Sequence, residues 1–172
     1  MAELLKAPRR IVTGHDEQGK AVVVVDDRPD ITPRENPSTG DAALLRAALF
    51  WSNSTFPSDN TTPLTEDAAD PRARRTPKGG SVLRISDMGS GLSSPLHRTI
   101  SLDYAILLAG DHVEMELDDG AVVRLEVGDI VIQRGTIHAW HNRGKEWARF
   151  AFILIDAAPV TAGGQELPEV LP

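Results

Sequence analysis

Short runs of β-branched and aromatic residues alternate with glycine- and aspartate-bearing turns through the second half of the chain. That rhythm predicts strands rather than helices. Strands are expected over 81–87, 98–108, 112–117, 121–127, 130–133, 137–142 and 147–156. The turns between them are explicit: Ala109-Gly110-Asp111, Asp118-Asp119-Gly120, Gly128-Asp129 and Asn142-Arg143-Gly144 carry residues that tolerate positive φ or close tight hairpins. In the last run, Phe150, Phe152 and Leu154 fall on one face and Ala151, Ile153 and Ile155 on the other, so this strand is expected to be buried on both sides.

The first half is patterned more sparsely. Runs at 9–12 and 21–25 flank a polar segment centred on Gly19 and predict a hairpin, with His15 in its turn and without a role. Three prolines make 26–41 a long irregular loop. Residues 41–51 (DAALLRAALFW) suit a helix by their Ala and Leu content and a strand by their end; the second half is assigned to a strand. The stretch 52–80 reads as a long connection and 157–172 as a loose terminal arm. The expectation is one all-β domain over 1–172, with a core barrel at 81–156 and N-terminal strands and loops at 1–80.

Composition narrows the function classes. At 172 residues the chain suits one core rather than two, and 41% hydrophobic with 25% charged residues is ordinary for a globular protein. No apolar run approaches the ~20 residues of a membrane span, and the N-terminus shows no signal-like stretch, so a cytoplasmic protein without a membrane partner is expected. A formal net charge of −7 argues against nucleic acid as a partner, and the weak basic cluster at 71–80 reads as a solvated loop. No phosphate-cradling glycine loop occurs, so no nucleotide cofactor is expected. With no cysteine, any metal site must be built from His, Asp or Glu.

The chemistry concentrates between Gly89 and Asn142, which holds His97, His112, His138 and His141. Strand alternation puts His97, Thr99, Ser101 and Asp103 on one face, and His138, Trp140 and Asn142 on one face of a later strand. If both faces point inward, two imidazoles and a carboxylate converge on one cavity. By the same rule His141 points away from His138, and Tyr104 packs outside the cavity face; His112 follows a turn and is expected at the surface. Trp140 could stack on an organic ligand or fill the core. Gln133 and Arg134 lie beside the site, and the register does not choose between them.

These residues resemble the cupin family. Gly91, His97, Asp103 and Gly110 fall at positions of its first motif, with Thr99 in the slot of a second histidine and Asp103 in that of a glutamate. Gly128, Gly135, His138 and Asn142 follow its second motif, with Gln133 where proline is usual. The runs HRTISLDY and QRGTIHAWHN, with the opening RRIVTGHDEQGKAV, are similar to a group of small bacterial and fungal cupins. The resemblance implies a double-stranded β-helix jelly-roll barrel that binds a small organic molecule. It implies His97, Asp103 and His138 as metal ligands and catalytic residues around a divalent iron, manganese, nickel or zinc ion, with Thr99, Ser101, Gln133, Trp140 and Asn142 lining the pocket. Oxygenase, decarboxylase or isomerase chemistry would follow. The alternatives are a metal-free acid/base lyase or dehydratase, and a metabolite-binding module without turnover. Open sheet edges and the AVVVV run predict a homodimer.

Overall fold

The computed structural model describes residues 3–35, 44–60 and 76–171. Among them there is no helix. Strands β1 (Arg10–His15) and β2 (Ala21–Asp27) form a separate hairpin, as the sequence predicts. Next come β3 (Thr32–Pro33), β4 (Leu45–Asn53), β5 (Ser81–Met88), β6 (Ser101–Ala109), β7 (Val113–Leu117), β8 (Val122–Leu125), β9 (Ile130–Arg134), β10 (His138–Asn142) and β11 (Ala148–Asp156). A short hairpin of β12 (Thr161–Ala162) and β13 (Gln165–Glu166) closes the chain. The ambiguous segment ahead of Trp51 is therefore a strand from Leu45 onward. Half of the basic cluster at 71–80, residues 71–75 with its three arginines, lies outside the described residues.

Two sheets form the barrel. The larger has the order β3-β4-β5-β11-β6-β9 and the smaller the order β10-β7-β8. Strand β11 sits between β5 and β6, antiparallel to both, which explains the apolar residues on both of its faces. The sheets meet through aromatic rings: Trp140 of β10 lies 4.7 Å from Phe150 and 5.6 Å from Phe152 of β11, centroid to centroid. Met88, Leu107, Val113 and Met115 complete this core around them. The N-terminal segment is tied on by Arg149, whose guanidinium makes a two-point pair with buried Asp87 and donates to the carbonyls of Leu5 and Lys6.

Two expectations change. The strand expected from residue 98 begins at Ser101, because the chain bends at Ile100. The terminal arm is not loose. Gly163 and Gly164, both at positive φ, make the two-residue turn between β12 and β13, and Val170 exchanges backbone hydrogen bonds with Arg98.

Candidate functional site

The site is assembled by an edge that the strand pattern does not reveal. Residues 91–97 run antiparallel along β10: Gly91 N donates to Asn142 O, Ser94 N to Trp140 O, and His97 and His138 exchange both backbone bonds at 2.9 and 3.0 Å. The two histidines are thus directly opposed in a hydrogen-bonded pair, which projects both side chains to the same side. Their ring centroids lie 4.3 Å apart. Each ring is held in the same way, His97 Nδ1 at 2.9 Å from Pro95 O and His138 Nδ1 at 3.0 Å from Thr136 O. A carbonyl only accepts, so in the neutral rings both protons sit on Nδ1 and both Nε2 atoms keep their lone pairs. Gly135, at positive φ, makes the turn that carries Thr136 O back under the ring of His138.

These rings line a cavity of about 590 Å³ between the sheets. Its walls are mostly apolar, with Met88, Leu92, Trp140, Phe152 and Leu154, and its polar lining includes His97, His138, Thr99, Asp103, Gln133 and Arg84. This is the usual make-up of a small-molecule site, an apolar chamber with a few convergent polar groups. His138 is 3% exposed. Burial, then the neighbouring His97, pushes its pKa down to about 4, against a smaller opposing pull from the Thr136 carbonyl. It is therefore neutral at physiological pH.

Asp103 lies beside the imidazoles on β6. Thr99 Oγ1 donates to its Oδ2 at 3.2 Å, and Ser101 Oγ donates to Thr99 Oγ1 at 2.9 Å. Burial raises the Asp103 pKa against those hydroxyls and the charge of Arg84. The other oxygen, Oδ1, is buried without a partner, as is Nε2 of Gln133, the residue directly across the ladder on β9.

The structure brings together His97, Thr99, Asp103, Gln133, His138 and Trp140 around the cavity. Two expected pocket residues stand elsewhere. Ser101 is buried behind Thr99 rather than on the cavity wall. Asn142 is fully buried and structural: its amide nitrogen donates to Met88 O and Glu146 O, and its oxygen accepts from Gly144 N. It shapes the turn after β10 and does not line the cavity. His141 does point away, bonded to Ser93 and Glu116, and Arg134 is exposed outside the cavity while its neighbour Gln133 points in. Arg84, Ser86 and Leu171 line the cavity without having been singled out. The signal for the first two was present: polar residues two apart inside a buried strand.

The resident divalent ion implied by the cupin resemblance can be tested against this donor set. Two imidazoles with anchored Nδ1–H groups are suitable ligands. However, no group of three or more His, Asp or Glu side chains among the described residues is placed to hold an ion. Asp103 gives one oxygen, Oδ2, to Thr99, and its Oδ1 does not complete a set with the histidines. The residues present do not form a protein-held facial triad.

The fold defines an all-β double-sheet barrel with a cavity between its sheets. Relatives place it in a family. The chain is 35% identical over 169 residues to phomopsin biosynthesis cluster protein C' of Diaporthe leptostromiformis, covering 95% of this chain and 86% of that one. It is 32% identical over 161 residues to a cupin-domain-containing oxidoreductase of Aspergillus ruber, covering 92% and 77%. Among solved structures, the cupin domain of Schizosaccharomyces pombe Cnp3 superposes with a TM-score of 0.51 at 13% identity, over 86% of this chain and 87% of that one. A cupin 2 conserved barrel protein of Salinispora arenicola gives 0.50 at 19%, over 78% and 91%. No family profile matches the chain. The chain belongs to the cupin family.

Proposed function

We propose that this protein binds a small organic molecule in the barrel and moves a proton on it, with the histidine pair as the acid–base centre and without a resident metal. The observation that carries the reading is the opposed pair itself, two imidazoles 4.3 Å apart with both Nε2 atoms unpartnered at an apolar cavity. Charge on one ring raises the cost of charge on the other. Burial keeps His138 neutral, so it orients the substrate as a hydrogen-bond acceptor while His97 is the proton-transferring partner. Relatives named as oxidoreductases and as members of fungal biosynthesis clusters support a substrate among such cluster products and intermediates. Isomerisation or dehydration of a carbonyl compound fits a centre that exchanges protons.

The anchored tautomers also favour a second reading, in which the same two nitrogens hold a divalent ion together with substrate oxygens. Elemental analysis of protein purified without chelator, followed by turnover assays with and without EDTA, separates the two. A metal-poor protein whose turnover survives EDTA is expected. One equivalent of iron, manganese, nickel or zinc, lost together with activity, would overturn the metal-free reading.

A further inference from the structure

The cavity carries a second polar element that proton transfer at the histidines does not use. Asp103 of β6 and Gln133 of β9 are direct cross-strand partners, 5% and 3% exposed, and both face the cavity. Their remaining polar atoms, Asp103 Oδ1 and Gln133 Nε2, are buried with no partner. An unsatisfied buried polar atom costs about 1–3 kcal/mol, and native proteins keep such atoms rare. On cross-strand partners that line one cavity they make a matched acceptor and donor. Cross-strand neighbours have Cβ atoms ~4.5–5.5 Å apart, so adjacent atoms of one planar group can meet both side chains.

We infer that Asp103 and Gln133 form a carboxamide clamp: the substrate of the proposed reaction carries a secondary amide or lactam whose N–H donates to Asp103 Oδ1 and whose C=O accepts from Gln133 Nε2. This rests on the reading of the cavity as a small-molecule site and adds the chemical class of what it holds. The apolar body of the ligand lies against Trp140, Phe152 and Leu154, which line the same cavity. The clamp also gives Thr99 a function, since its hydroxyl fixes Oδ2 and leaves Oδ1 to the ligand. A site built to pair a substrate N–H rejects the analogue that lacks it more strongly than an apolar pocket rejects a change of size, because the unmatched polar atoms stay buried and unpaired.

The test uses four bicyclic probes that differ at the clamp: quinolin-2(1H)-one, its N-methyl derivative, coumarin and naphthalene. Affinities are measured by ligand-observed NMR and Trp fluorescence with the full chain. The lactam is expected to bind at least tenfold tighter than the N-methyl compound and coumarin. Asp103→Asn, which keeps an acceptor oxygen, should retain the preference for N–H, whereas Asp103→Leu should abolish it. Gln133→Leu should weaken lactam and coumarin together, with naphthalene unchanged. Melting curves on each variant show that it is folded. If naphthalene binds and the lactam binds no better than the N-methyl compound, or if the preference survives in folded Asp103→Leu, the clamp is overturned and the cavity reading stands. If no probe binds, both fall.

Discussion

Lowering the pH should destabilise this protein through His138. In the folded state its pKa is pushed from the ordinary 6.5 to about 4. The unfolded chain therefore binds the proton first as pH falls, and stability that is full above ~pH 6.5 is lost progressively towards pH 4. With ~1.4 kcal/mol per pH unit, the total is about 3 kcal/mol once both states are protonated, and about 1.5 kcal/mol has gone by pH 5.5. That lower limit is practical, because the net charge of −7 shrinks as carboxylates protonate and solubility falls with it. Asp103 acts with the opposite sign, since its pKa is raised in the fold. The informative quantity is thus a difference: urea unfolding at pH 7.5 and 5.5, for the wild type and for His138→Gln. The variant loses the bond to Thr136 and starts from lower stability, but its pH slope should be shallower by about 1.5 kcal/mol over the interval. Equal slopes in the two proteins would show that His138 is not held neutral by burial.

Three further outcomes follow from the same geometry. His97→Gln removes the neighbouring charge that helps depress His138, so the His138 ring-proton titration in NMR should move above its midpoint of about 4; an unchanged midpoint would mean burial acts alone. Asp103→Asn should raise the melting temperature more at pH 8 than at pH 5, because a carboxyl with a raised folded pKa costs stability only where it is forced to ionise; a loss at pH 8 would count against that. Asn142→Ala forfeits hydrogen bonds to Met88 O, Glu146 O and Gly144 N and should cost about 2–3 kcal/mol in urea unfolding, with probe binding at 25 °C unaffected.

Much of the barrel was legible because its turns are written in residues with special backbone freedom and its strands alternate with period two. The opposite directions of His138 and His141 followed from that period alone. The position of His97 opposite His138 did not, since it depends on residues 91–97 pairing along β10, a contact between segments distant in sequence. Asn142 shows the limit of parity: it shares the alternation of His138 and Trp140, but it is the last residue of β10, where turn geometry takes its side chain for backbone carbonyls. Ser101 stands off the cavity wall for a related reason, the bend at Ile100 that interrupts the strand just before it. Arg84 and Ser86 were legible as polar residues two apart inside a buried strand, but placing them at the cavity needed the sheet order, which sets β5 next to β11 and which no local pattern encodes.

The reciprocal bonds between Val170 and Arg98, with Arg98 also reaching Pro168 O, bring Leu171 onto the cavity wall. Leu171 is 39% exposed, so a group attached beyond it stands next to the cavity. A C-terminal affinity tag would therefore act as a tethered competitor at millimolar effective concentration. Ligand screens on this protein call for an N-terminal tag or none, and weak hits obtained with a C-terminal one should be remeasured after its removal.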